Sequence, residues 1–198
     1  MPRQVDHRQR RAQIAEAVCS LVAARGLEAV SLRDVAAEAG ISMGRVQHYF
    51  RTKDEMLLFA LEYVGERDVA GTRRDLAAVP GAPPRTVIRT VLAGLLDTDP
   101  RKVEAQRVGV AFLARALVEP ALAAPLLQGY EGLQVLLEQA VRQAIAEGTV
   151  CATTDPRSAA SEVFALADGL RVQTLLGHMA GERALEILDA RLDRLFGG

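Results

Sequence analysis

LRDVAAEAGISMGRVQHYF, running from Leu32 to Phe50, is the stretch that decides the fold. Ala36 is small where two helices must cross closely. Gly40, four positions on, can enter a tight turn at positive φ without a Cβ penalty. Val35, Ile41, Val46 and Phe50 fall where two short helices would bury their inner faces. Ser31 and Ser42 stand at the two helix starts as N-caps, and Asp34 completes an arrangement like a capping box with Ser31. A helical hairpin in a bundle can imitate this spacing, but it is the pattern of a helix-turn-helix.

Outward from that segment the chain reads as helix after helix. The first is expected from about His7 to Arg25, with Ile14, Val18, Leu21 and Val22 on one face and Gly26 as C-cap. Two short helices cover about 32–39 and, after Ser42, about 43–50. A long one runs over about 53–79 until Pro80, Pro83 and Pro84 interrupt it. Further helices are expected at about 84–97, 101–118, 121–147, 156–177 and 182–196, with Pro100, Pro120 and Pro156 at helix starts and Gly148 at a stop. No alternating strand pattern and no internal repeat is found. The expectation is an all-α chain of about nine helices.

At 198 residues, 49% hydrophobic and 25% charged, the chain can bury a sizeable core without metals or disulfides. No apolar stretch approaches the roughly 18 residues that span a bilayer; Val108–Ala114 is cut short by Arg115. The polar, arginine-rich N-terminus does not read as a secretory signal, and two cysteines, Cys19 and Cys151, read as reduced thiols in a cytoplasmic protein. There is no G-x-S-x-G, P-loop, metal-ligand spacing or Cys–His pair, so no catalytic residue, cofactor or metal is expected and the chain does not read as an enzyme. The charge is uneven. Residues 1–53 hold nine basic side chains (Arg3, Arg8, Arg10, Arg11, Arg25, Arg33, Arg45, Arg51, Lys53) against five acids, a balance of +4 inside a total of −1. A basic head is what a phosphate-binding module carries, although a solvated surface can look the same.

Residues 8–58 resemble the DNA-binding domain of the TetR family of transcriptional regulators, most closely over SLRDVAAEAGISMGRVQHYFRTKDEML. The family's glycine-containing turn, aromatic-Phe ending, polar linker and Lys-acid-acid helix start correspond to Gly40, Tyr49-Phe50, Arg51-Thr52 and Lys53-Asp54-Glu55. The HYF ending and ALADGLRVQTLLG (Ala165–Gly177) are similar to the betaine-type repressor branch. The resemblance implies a three-helix helix-turn-helix DNA-binding domain over 1–52 and a helical ligand-binding and dimerisation domain over 53–198, with the long helix from Lys53 as the lever between them. It implies a homodimer on a palindromic double-stranded operator, a repressor released by a small-molecule effector, and no membrane. A helical ligand-binding or scaffold protein with lost or weak DNA binding is the alternative.

A recognition helix presents its N-terminal and outward side chains to the bases. With Val46 and Phe50 inward, Met43, Gly44, Arg45 and Gln47 face out. Arg45 suits a bidentate guanine contact, Gly44 allows close approach, and Met43 either packs on a thymine methyl or has no partner. Gln47 stands where many family members carry a tyrosine, and an amide there most naturally reads adenine. Ser31, Arg33, Ser42, His48, Tyr49, Thr52 and Lys53 are the candidate phosphate contacts, with N-capping the competing role for Ser31 and Ser42. His48 lacks a second ligand at metal spacing. Arg8, Arg10 and Arg11 either reach phosphate or the minor groove or lie solvated on the surface.

In the larger body the helix 101–118 is apolar on more than one side (Val103, Val108, Val110, Phe112, Leu113, Leu117), which suits a central helix. Gln106, Arg107 and Arg115 interrupt it as either pocket groups or surface charge, with Arg115 placed to pair Glu119. Phe112, Tyr130, Phe164 and Met179 read first as core, with the first three also candidate pocket lining. Asp168 and Arg171 either pair along their helix or sit at the pocket floor or the dimer seam. By the resemblance, the last two helices form a four-helix dimer interface through Ala159, Val163, Leu166, Leu170, Thr174, Leu185, Leu188 and Leu192.

Overall fold

In the computed structural model, which describes the backbone of residues 2–197 and the side chains of residues 7–197, nine helices and no strand are found among the described residues. The side chains of Arg3 and Asp6, two charges of the basic head, lie outside the described residues. The helices are α1 (Pro2–Arg25), α2 (Leu32–Glu38), α3 (Met43–Tyr49), α4 (Lys53–Ala77), α5 (Pro84–Gly94), α6 (Pro100–Ala116), α7 (Pro120–Ala146), α8 (Pro156–Leu175) and α9 (Gly181–Phe196). All nine fall where periodicity and punctuation place them. The main difference is α1, which starts at Pro2 rather than near His7. Proline is tolerated in a first turn because its missing N–H would be unpaired there anyway, and the polar first turns carry no apolar period to read.

By packing, the chain divides into two compact units, one of residues up to Asp68 with Pro100–Leu127 and one of Val69–Asp99 with Gln128 onward. The division falls inside α4 and α7. The expected division at 52/53 follows chain order instead; α6 packs on α1 within the first unit.

In the first unit α1 contacts α2 and α6, and α2 contacts α3. The apolar stripe of α1 delivers Ile14 and Val18, both fully buried, against Val35, Val46, Phe50, Met56 and Ala60. Helix α6 adds Val108 and Phe112, an i,i+4 pair that is likewise fully buried. The apolar residues on more than one side of α6, from which a central helix is expected, are fully buried along one stripe only. Its C-terminal extension exposes Leu117 at 80%, Arg107 is exposed, and only Gln106, Val108 and Phe112 are buried on it. One i,i+4 stripe is enough to seat a helix on a neighbour, and the remaining apolar residues stay half-buried or exposed.

The second unit is a core of α5, α8 and α9 with part of α7. Helices α5 and α9 are strongly amphipathic: Ile88, Val91 and Leu92 face Ala184, Leu188 and Leu192. The rim is fastened by Arg85 to Asp193 at 2.5 Å and by Arg89 to Asp189 at 2.6 Å. That guanidinium holds the Asp189 carboxyl below the usual carboxylate range.

Neither cysteine is in a disulfide. Burial pushes the Cys19 thiol up to about 12, while hydrogen bonding from Thr153 lowers Cys151, which is exposed. The thiolate is the nucleophile. Iodoacetamide at pH 8 on the native protein is therefore expected to alkylate Cys151 and spare Cys19, with Cys19 becoming reactive only on denaturation; equal labelling rates in a peptide map would contradict the burial of Cys19.

Candidate functional site

Helix α2 ends in a Schellman arrangement. Gly40 lies at φ +65°, its N–H reaches the Ala37 carbonyl at 3.2 Å, and the Ile41 N–H reaches the Ala36 carbonyl at 3.0 Å. Glycine is needed because an L side chain is strained at that φ. From α1, Gln13 Nε2 donates to the Ala39 carbonyl at 2.8 Å and so fixes the turn to the supporting helix. The Ser42 hydroxyl then caps α3 by accepting from the Arg45 N–H at 3.3 Å.

On this base α3 has two distinct faces. Val46 and the C-cap Phe50 are fully buried. Met43 (45% exposed), Gly44, Arg45, Gln47 and His48 are turned to solvent. Among the described residues the Arg45 guanidinium has no acid partner, so its five N–H donors are uncommitted. The four residues expected at the bases are therefore all open to solvent on α3.

The expected phosphate contacts fall into three groups. Arg33, Ser42 and His48 are exposed, and the Ser42 hydroxyl keeps its proton free to donate while its oxygen caps the helix. Thr52 is in the same position: it is exposed and accepts from the Glu55 N–H at 3.0 Å, while the Glu55 carboxylate accepts from the Arg51 N–H at 2.9 Å. Tyr49 is half-buried between His7 and His48, with ring centroids at 4.9 and 5.3 Å. Lys53 is half-buried, and its Nζ makes a long 3.4 Å contact to the Glu28 carbonyl. Ser31 is different. Its oxygen accepts from the Asp34 N–H at 3.2 Å and its hydroxyl donates to the Asp34 carboxylate, which is held below the usual range. Both functions of Ser31 are spent on the capping box. Arg8, Arg10 and Arg11 lie on α1 rather than on a free arm: Arg8 faces Glu66 at 3.8 Å and Arg10 donates to Gln13 at 2.9 Å.

The pocket candidates are distributed over the two compact units. In the first, Phe112 is core, Gln106 is buried, Arg107 is exposed, and Arg115 pairs Glu119 at 2.7 Å and Glu28 at 3.1 Å. In the second, four candidates come together. Tyr130 meets Phe164 edge-on at 5.3 Å, and Arg171 donates to Asp168 at 2.5 Å. Arg171 Nε is buried without a hydrogen-bond partner. Burial, with Asp168 nearby, raises the Tyr130 phenol, and Arg171 opposes that shift.

The last two helices require a correction to the expected seam. Ala159, Val163, Leu170, Leu188 and Leu192 are buried inside this chain's own α5–α8–α9 core, and Leu166, Thr174 and Leu185 are half-buried. Helix α8 and its C-cap Leu176 carry a second stripe that the periodicity did not single out: Ala165, Gly169, Val172 and Leu176, spaced 4, 3 and 4 and all exposed, Leu176 at 78%. That spacing is itself a helical face, so the signal was in the sequence, but two apolar faces on one helix cannot be ranked without the fold.

Residues 14–60 match the family described as bacterial regulatory proteins, tetR family, and residues 84–197 match the BetI-type transcriptional repressor, C-terminal family. The chain belongs to the TetR family. The HTH-type transcriptional regulator BetI of Burkholderia mallei (strain NCTC 10229) is 32% identical over 198 residues, covering 94% of this chain and 93% of the relative. The HTH-type transcriptional regulator PksA of Bacillus subtilis (strain 168) is 40% identical over 116 residues, which is 59% of this chain and 56% of that protein. A transcriptional regulator from Rhodococcus sp. Rha1 superposes with a TM-score of 0.84 at 27% identity, covering 95% of this chain and 96% of its own. This TetR-family protein is accordingly a DNA-binding transcriptional regulator with a BetI-type C-terminal region, and its family consists of regulators rather than enzymes. Among its described residues no helix is long and apolar enough to cross a membrane.

Proposed function

We propose that this TetR-family regulator acts in the cytoplasm as a homodimeric repressor of a palindromic operator, released by a small molecule. Residues 1–52 serve as the DNA-binding domain and 53–198 as the ligand-binding and dimerisation domain. The observation that carries this reading is the open face of α3, where Met43, Gly44, Arg45 and Gln47 stand free on the buried pair Val46 and Phe50. Two such helices roughly 34–36 Å apart fit successive major grooves, so the half-sites mirror the protein's twofold axis. The twofold contact runs along the exposed α8 stripe Ala165, Gly169, Val172 and Leu176. Small residues at 165 and 169 let two copies of α8 approach closely.

Tyr130, Phe164, Asp168 and Arg171 are the residues assigned to the effector, because a buried Nε–H without an acceptor is a donor a ligand can satisfy. The effector shifts the dimer between DNA-competent and released geometries only as far as its affinity differs between them. Helix α4, which begins at Lys53 directly after the recognition segment, is the lever.

Selection of bound duplexes from a random pool tests the reading: a palindrome with two half-sites is expected, and recovery of no enriched sequence would overturn it. With that operator, Arg45→Ala is expected to relax preference at one base pair per half-site by about 1–3 kcal/mol. Lys53→Ala is expected to weaken all duplexes alike and lower the slope of log K against log salt by about one. An Arg45→Ala protein with unchanged preference in competition gel shifts would remove Arg45 from the reading set.

A further inference from the structure

Arg11 does something that a surface arginine does not. Its guanidinium carbon lies 4.6 Å from the Phe50 ring centroid and 4.2 Å from that of Phe59, and the two rings are themselves 5.4 Å apart at 45°. The three side chains come from different elements: Arg11 from α1, Phe50 from the C-cap of α3, Phe59 from α4. Arg11 is half-buried, its Nε has no hydrogen-bond partner, and among the described residues no carboxylate pairs with it. A cation in that position is held by the negative faces of the rings, which a planar guanidinium can cover and a point-like ammonium covers less well.

Helix α1 also touches the helix-turn-helix through Gln13 on the Ala39 carbonyl, Ser20 on the Glu38 carboxylate and His7 on the Tyr49 ring. Of these contacts, the one through Arg11 joins the end of α3 to the helix that follows it. We infer that Arg11 is a positioning residue for DNA reading: clamped on Phe50 and Phe59, it sets the angle at which α3 is presented, without touching DNA itself. The inference rests on α3 being the recognition helix.

The test uses the full-length protein with the duplex recovered by pool selection, at a temperature where thermal shift shows each variant folded. Arg11→Ala is expected to lower operator affinity about 5- to 30-fold, the range that a partly desolvated cation–π contact spans. The salt slope and the preferred sequence should be unchanged. Arg11→Lys should recover part of the loss, and Arg11→Met, which keeps length and apolar bulk but no charge, should recover less. Backbone amides 46–50 should exchange hydrogen faster in the alanine variant while those of α9 do not. A salt slope lowered by about one unit would make Arg11 a phosphate contact and overturn the inference, as would methionine rescuing as well as lysine, or wild-type affinity in all three. If Arg11→Ala does not fold, the lysine–methionine comparison still decides. Arg45→Ala in the same assay separates the two failures: unchanged preference there defeats the recognition-helix reading, whatever Arg11 does.

Discussion

Phe50→Ala is expected to destabilise the protein by about 3–5 kcal/mol, the range for removing a fully buried aromatic ring. Phe50 has no exposed surface, closes α3 through its N–H to the Val46 carbonyl at 2.9 Å, and forms one wall of the aromatic pair on which Arg11 rests. The substitution therefore opens a cavity among Val35, Val46 and Met56 and leaves the Arg11 guanidinium with one ring instead of two. Domains of this size are stable by only about 5–15 kcal/mol, so a third or more of the total can be lost at one site. Urea unfolding followed by far-UV circular dichroism, since the chain has no tryptophan, should show a lower midpoint at an unchanged slope. Operator binding should fall with it, because the reading face of α3 has no other anchor of that size. A loss below about 1.5 kcal/mol would mean that the site collapses around the gap and that Phe50 is not the anchor described.

Gly169→Arg is expected to leave the monomer folded and to abolish the dimer. A Cβ built on Gly169 meets nothing within 4 Å, and the residue lies at the middle of the exposed α8 stripe. Arginine is also the better helix former, and its Cβ meets no neighbour at this exposed position. Two copies packed along Ala165, Gly169, Val172 and Leu176 would instead bring two guanidinium groups together at the twofold axis, where a desolvated like-charge pair is strongly unfavourable. Sedimentation should show a monomer. Operator affinity should fall by about 10² to 10⁴, the avidity that linking two half-site contacts supplies. A variant that still sediments as a dimer would show that the contact runs elsewhere, and Leu188 or Leu192, buried in this chain's own core, would not be the alternative.

How much of this was legible varies by element for identifiable reasons. The turn between α2 and α3 was legible because it is local: Gly40, Ser42 and the inward set of Val35, Val46 and Phe50 all act within a few residues of one another. The Ser31–Asp34 box was legible for the same reason, although sequence left open whether Ser31 also reaches DNA; two hydrogen bonds to one neighbour leave its hydroxyl nothing to offer. The Arg115–Glu119 pair followed from i,i+4 spacing, but its link to Glu28, 87 residues away in sequence, did not. Arg11 read as one basic residue among several because nothing in its neighbours announces that Phe50 and Phe59 will close over it.

Residue order alone determined the helices, their caps and stops, and the two-faced α3, since each depends on backbone preference and apolar spacing within one or two turns. Tertiary structure decided which of two apolar faces each long helix spends on its own chain. Thus α8 buries Val163 and Leu170 and leaves Gly169 and Leu176 outside, and α6 joins α1. Burial is a competition among all the faces present, and its outcome is settled only when distant segments meet.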